Sequence, residues 1–437
     1  MLAVRENKGS IFPDYLFSPD PFGYFRPLPK LFFYVMWKMF HESFFIYRIF
    51  VVTLHILNVI LVYKISSALD FGKTASFVAA LFFSVLTCHT EALFFINCIT
   101  ELLFAFFILT GLFLFSAKKY EGWFYVFAII IFFLLALLSK ESAIAYIPLV
   151  LLFYFFKIRL SIGKLTAILL IPVFVYAIIR YSSEMYFPGG NLGVTISSMD
   201  LDLLKIFYKS VHYNIMMLFP VKVIFEFLGF EKLEFLINIY RQPMEHLAEF
   251  LAFTAFIFIV LTLILLLIIR KLKSDLFFPV LFSLISLSIY LFSFSTAERY
   301  SYLSSAGVCI LIGILYVKSG GSMFIKVMLI LFFYLHLFSF VQRSYRYRQA
   351  ADFSRQSIIN LNKVTEGIKE NSYVKIISLP PKQYGIYFLN VPNFYYNWEY
   401  NFPERKINFE FTGNTLRQNH DAVFDYDNGS STFKRME

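Results

Sequence analysis

Residues 123–156 read WFYVFAIIIFFLLALLSKESAIAYIPLVLLFYFF. Two apolar runs, 123–138 and 143–156, flank one polar step, Ser139-Lys140-Glu141-Ser142. A helix needs about 20 mostly apolar residues to cross a hydrocarbon core ~30 Å thick. Open strands would leave backbone groups unpaired in lipid, so helices are the economical reading. The stretch reads as two membrane spans joined by a charged turn.

Outward from it the pattern repeats. Ten segments qualify as spans: 44–63, 75–88, 92–115, 123–138, 143–156, 165–181, 247–269, 276–294, 302–317 and 324–341. The second and fifth are short and are expected to extend into their polar flanks. The whole chain agrees: 59% of its 437 residues are hydrophobic, 21% aromatic and 16% charged. Soluble domains carry about 25% charged residues. This composition excludes a soluble domain, a disordered chain and a disulfide scaffold. Cys88, Cys98 and Cys309 stand in no metal-ligand spacing, which argues against a zinc module or an Fe–S site. The net charge of +10 follows from basic loops that set orientation, with no basic block suited to nucleic acid.

Those loops give the topology. With residues 1–42 outside, the inner loops carry Lys64 and Lys73; Lys118 and Lys119; Lys157, Arg159 and Lys164; Arg270, Lys271 and Lys273; Lys318 and Lys326. The short outer loops carry only Lys140 and Arg299. Both termini are therefore expected on the extracytoplasmic side. Three regions follow: an outer segment 1–43, a transmembrane domain 44–341, and a small extracytoplasmic α+β cap over 342–437. Residues 182–246 form an outer loop. Within it, the amphipathic run 203–227 is expected to lie in the interface plane, apolar face down. The cap is expected to begin with a helix near 344–362 and to hold strands at 373–379, 384–391 and 406–411.

Charges near a bilayer call for a functional hypothesis, since each costs roughly 2.5–3.5 kcal/mol at a helix centre. Here they cluster on the outer side. Asp14, Asp20 and Arg26 precede the first span, and His89-Thr90-Glu91 follows the second. Lys140-Glu141 follows the fourth, and Glu298-Arg299-Tyr300 the eighth. Such a set suits a phosphate-bearing amphiphile. Sugar transfer from a polyprenyl phosphate needs a carboxylate to take the acceptor's proton. It also needs cations, or a divalent metal held by acids, to carry charge on the leaving phosphate. Arg26, Lys140 and Arg299 are the candidate phosphate ligands, with His89, Glu298 and Tyr300 beside them. Asp14, Asp20, Glu91 and Glu141 are the candidate bases or metal ligands. Blander readings exist: Lys140-Glu141 as a local ion pair, His89 as a helix cap, and Glu101 as a partner for a neighbouring helix.

Several of these residues also sit in recognisable company. Tyr24-Phe25-Arg26-Pro27-Leu28 followed by Leu54-His55-Ile56-Leu57-Asn58 resembles the "YRPL … HLxN" opening of the C-type glycosyltransferase superfold (GT-C). His89-Thr90-Glu91-Ala92, Ile99-Thr100-Glu101-Leu102-Leu103, Leu138-Ser139-Lys140-Glu141 and residues 297–303 (AERYSYL) resemble its later motifs, as does the run 213–220 ending in a proline. The likeness spans residues 20–340 and is greatest to the transmembrane-and-TPR O-mannosyltransferases and their bacterial relatives. It implies a polyprenyl- or dolichyl-phosphate sugar donor, transfer at the extracytoplasmic face, and residence in the cytoplasmic membrane of a bacterium. The TPR repeats are replaced by the cap. Members of that family begin with a span leading into an acidic outer loop, and Met1 falls inside what should be that loop. The expectation is either a start assigned too late or a true loss, with Asp14 or Asp20 substituting for the missing base.

The leading expectation is thus an all-α polytopic GT-C-like glycosyltransferase with about ten transmembrane helices. Its acceptor is an unassigned glycan, lipid or protein. The alternatives are a lipid-linked-saccharide transporter or assembly partner, and an inactive truncated relative. A transporter would place its charges near the midplane, whereas these lie at one interface.

Overall fold

The structure is a computed structural model that describes residues 16–18, 24–41, 43–116, 122–156, 160–186, 203–220, 274–292, 297–320, 322–378, 402, 404, 406–411, 422–427 and 432–436. Asp14, Asp20 and the expected elements at 247–269 and 384–391 lie outside these residues. The chain divides near residue 340 into two compact units.

The first unit is helical. It contains α1 (Pro27–Phe40), α2 (Phe44–Ala68), α3 (Lys73–Val85), the short α4 (Thr90–Phe94), α5 (Ile99–Ser116), α6 (Trp123–Ser139) and α7 (Tyr146–Phe156). After these come α8 (Ile162–Tyr186), α9 (Leu203–Leu218), α10 (Phe277–Leu291), α11 (Ser304–Lys318) and α12 (Met323–Val364). Four helices among the described residues are long and apolar enough to cross a membrane. The count is five if α3 with 87–94, bent by 51°, is taken as one broken span. The other apolar helices among the described residues are shorter, and the expected span 247–269 lies outside those residues, so length alone supports four to five of the ten expected spans. Several of the shorter helices have a local cause. At the charged motifs the chain leaves the α-helix for 3₁₀ turns at Thr87–His89, Ile96–Cys98, Glu141–Ala145 and Glu298–Ser301, and these turns consume residues that would extend the spans.

The outward faces are apolar. On α12, Val327, Ile330, Leu331, Tyr334, Phe338 and Val341 are exposed at spacings of three and four, one stripe of the helix. Phe45, Ile49, Val52, Ile56 and Ile60 do the same on α2. A soluble protein rarely exposes such continuous apolar area. This is a helical integral membrane protein.

Between helices the packing uses small residues, which let backbones approach where lipid supplies no hydrophobic drive. A Cβ at Gly313 on α11 would stand 2.2 Å from the Ala75 carbonyl oxygen of α3. One at Gly307 would stand 2.4 Å from the Pro279 carbonyl oxygen of α10. Gly313→Ala is expected to lower stability in detergent by about 1–3 kcal/mol through this overpacking. Gly122→Ala, whose Cβ would meet nothing within 4 Å, should leave it nearly unchanged. Equal melting curves for the two variants would refute the α3–α11 contact.

The helix expected near 344–362 is present, as the last part of α12, which runs unbroken from Met323 to Val364. Polar composition after Gln342 marks a change of solvent, and polar residues such as Gln, Arg and Lys sustain a helix well. Within the expected amphipathic run, Leu203–Leu218 form a helix, on which Tyr213 and Met217, one turn apart, are buried; residues 221–227 lie outside the described residues.

The second unit packs Ile358 and Leu361 of α12 against a four-stranded sheet of order β2-β1-β3-β4. These are β1 (Tyr373–Ile376), β2 (Asn408–Phe411), β3 (Ala422–Asp427) and β4 (Thr432–Arg435). β1 pairs in parallel with β2 and β3, and β4 is antiparallel to β3. Alternation along β3 buries Ala422, Phe424 and Tyr426 while Val423, Asp425 and Asp427 point away.

Candidate functional site

Four remote stretches meet at one end of the helical unit. α2, α5 and α11 begin there; α3, α6, α8 and α10 finish there. Each contributes its charged or aromatic residues through a helix end or the 3₁₀ turn beside it.

Lys140 explains much of the layout. Its backbone is extended (φ −163°, ψ 135°), so it breaks the helical course between α6 and the next turn. Consecutive side chains in extended backbone point to opposite sides. Accordingly Lys140 and Glu141 do not pair with each other, which corrects the local-ion-pair reading. Lys140 Nζ donates to Glu101 Oε1 in the first turn of α5, and to the Tyr290 hydroxyl of α10 at 3.1 Å. Glu141 turns the other way. Its Oε2 accepts from Arg26 Nε at 2.9 Å, and its Oε1 from the Phe25 N–H at 2.9 Å. Arg180 Nη1, near the end of α8, lies 3.9 Å from the same Oε1. One carboxylate is thereby bracketed by two guanidinium groups and a backbone N–H. Arg26 also stacks over Tyr24, 4.1 Å from the ring centroid.

Glu91 and Arg299 form a second pair. Glu91 Oε1 accepts from Arg299 Nη1, and its Oε2 from the Arg299 backbone N–H at 3.0 Å. Burial works against the Arg299 charge, but the neighbouring groups, Glu91 foremost, together outweigh it and the guanidinium pKa is raised. Tyr300 links the two pairs. Its ring lies parallel to Tyr290, centroids 4.5 Å apart, with Lys140 Nζ 4.7 Å and the Arg299 guanidinium 4.9 Å from its centre. The Ser142 hydroxyl shares a 2.8 Å hydrogen bond with that of Tyr290.

Exposure separates the cations. The side chains of Arg26, Arg180 and Arg299 are 23%, 14% and 29% exposed, whereas Lys140 and Glu101 are 6% and 3%. The arginines are open to solvent and the lysine is not. Burial pushes the Lys140 ammonium down to about 8, with Glu101 opposing that shift.

The remaining sequence candidates fall as follows. His89 is fully buried, its Nε2 2.7 Å from Ser305 Oγ; it stands at the N-cap position of α4 and makes no side-chain cap hydrogen bond there. It packs on Phe83, His55 and Tyr302. The Tyr302 hydroxyl lies 2.7 Å from His55 Nδ1 and accepts from Asn58 Nδ2 at 3.2 Å. This polar core fastens the turn that carries Arg299 to α2. Glu298 is buried, and its backbone carbonyl accepts from Ser301 Oγ. Asp14 and Asp20 lie outside the described residues. Among the described residues no three His, Cys, Asp or Glu side chains are grouped to hold a metal ion.

Sequence reasoning missed Arg180 and Arg48, both inside expected spans. Their signal was available: a cation in an apolar segment is rare and is held for a reason.

Residues 21–182 match the family model described as dolichyl-phosphate-mannose-protein mannosyltransferase. The matched stretch holds Arg26, Glu91, Glu101, Lys140, Glu141 and Arg180, and ends before the 298–301 turn. No curated protein and no solved structure matches the chain. The likeness is to a family of mannosyltransferases and covers well under half of the chain.

Proposed function

We propose that the chain transfers a sugar from a polyprenyl-phosphate-linked donor at the extracytoplasmic face of a bacterial cytoplasmic membrane, with a GT-C-like arrangement of ten spans and both termini outside. The carrying observation is the trio of accessible arginines, Arg26, Arg180 and Arg299, each beside a carboxylate at one end of an apolar bundle. A guanidinium fork binds two phosphate oxygens at once and stabilises charge on the leaving phosphate. The carboxylates hold the forks in place before the donor arrives. Glu91 and Glu141 thus serve the cations, and Asp20 or Asp14 is the proton acceptor for the incoming hydroxyl. Lys140, buried with Glu101, supports the site from behind. A transporter would need its charged groups near the middle of the bundle, and these stand at helix ends.

The direct test is binding to the purified protein in nanodiscs. Polyprenyl phosphate-mannose and polyprenyl phosphate should bind, and the unphosphorylated polyprenol should bind at least about tenfold more weakly. Arg26→Ala should remove most of that preference. Equal binding of phosphate and alcohol would sink the reading.

A further inference from the structure

We infer that Arg48 is a positioning residue that fixes Glu91, and through it Arg299, for the donor phosphate. This rests on the function proposed above.

Glu91 belongs to α4, a helix of only five residues. So short a helix satisfies almost none of its own carbonyls, because the last four of any helix have no internal partner. The helix closes with a bond from the Phe95 N–H to the Glu91 carbonyl, at 3.1 Å. After it the chain turns extended at Phe95 (φ −102°, ψ 104°) and cannot continue the ladder. Arg48, in the second turn of α2, reaches the last carbonyls of α4. Its Nη1 donates to the Leu93 carbonyl at 2.7 Å, and its Nη2 to the Phe94 carbonyl at 2.6 Å. Its guanidinium also lies 5.9 Å from the Phe94 ring centre.

Two features set this contact apart from ordinary packing. An arginine near the start of an apolar span is expensive, yet this one spends its fork on two adjacent backbone carbonyls. The geometry also belongs to arginine: both nitrogens are needed, held at fixed spacing, and a lysine ammonium is a single point. The fork therefore sets the tilt of α4, and α4 carries the carboxylate that receives both the side chain and the backbone N–H of Arg299. A small rotation of α4 would move Glu91 and release the Arg299 guanidinium. Misplacement of a binding group by about 1 Å costs up to 10²-fold.

The test is a binding cycle with polyprenyl phosphate on the full-length protein in nanodiscs. Arg48→Lys keeps the charge and loses the fork, and should weaken binding about tenfold, in the range of other supporting-shell changes. Glu91→Gln should weaken it by at least as much. The double variant should be no weaker than Glu91→Gln alone, because Arg48 acts through Glu91. Arg48→Gln, which keeps donors without the charge, is the second variant should Arg48→Lys fail to insert, and should behave alike. Wild-type affinity in a folded Arg48 variant would overturn the inference while leaving the functional reading intact. Additive losses in the double variant would also overturn it, as they mean a general structural role. Failure of the wild type to prefer phosphate over polyprenol would overturn the functional reading and this inference with it.

Discussion

Arg299→Ala is expected to reduce transfer from a polyprenyl-phosphate-linked sugar by about 10²–10³, the usual cost of removing one electrostatic contact to developing charge. Glu91→Gln should lose a comparable factor for a different reason. It leaves the guanidinium present but removes the carboxylate that holds it through two contacts, one of them to the Arg299 backbone. Both variants should remain inserted and monodisperse, since the two side chains are 29% and 20% exposed and water can solvate whichever is left. The measurement is single-turnover sugar release in reconstituted membranes, with size-exclusion profiles as the folding control. Lys326→Ala, near the start of α12 and remote from the Arg299 turn, should transfer normally. Undiminished transfer by either site variant would favour a transporter or an assembly partner.

How far the sequence alone reaches is clear from where its charges went. The helices were legible because lipid penalises polar groups so heavily that each apolar run announces itself. That the motifs 89–91, 140–141 and 298–300 share one end was legible too, from strict alternation of the basic loops. The pairings were not. Lys140 and Glu141 are neighbours in the chain, and only the extended backbone at Lys140 sends one toward Glu101 and the other toward Arg26. A dihedral at one position decided two ion pairs. Arg48 and Arg180 were hidden by the very windows used to find spans, which average a single cation away among its apolar neighbours. The four-residue strand β4 and the longer β3 carry too little pattern to stand out in a polar tail, and their pairing with β1 depends on residues far apart in the chain.

The buried pair offers the sharpest stability test. Lys140 and Glu101 lie across the α5–α6 contact with almost no water access. Removing one member leaves the other charge uncompensated in the interior, which costs roughly 3–5 kcal/mol. Lys140→Met should therefore lower the melting temperature of the detergent-solubilised protein sharply, and Glu101→Leu should do so as well. The loss from Lys140→Met includes its contacts to two aromatic rings, 4.6 and 4.7 Å from the Tyr290 and Tyr300 centres. Replacing both members with apolar residues of similar size removes both desolvated charges, and such replacements are often neutral or stabilising. Lys140→Met combined with Glu101→Leu should accordingly recover most of what either single change loses. Lys140→Met combined with Glu141→Gln should recover nothing, because Glu141 serves Arg26 and Arg180. Recovery in the Glu141 combination and not in the Glu101 one would return Lys140 and Glu141 to a local pair. That result would also remove the structural reason for the divergence of the two charged clusters at this turn.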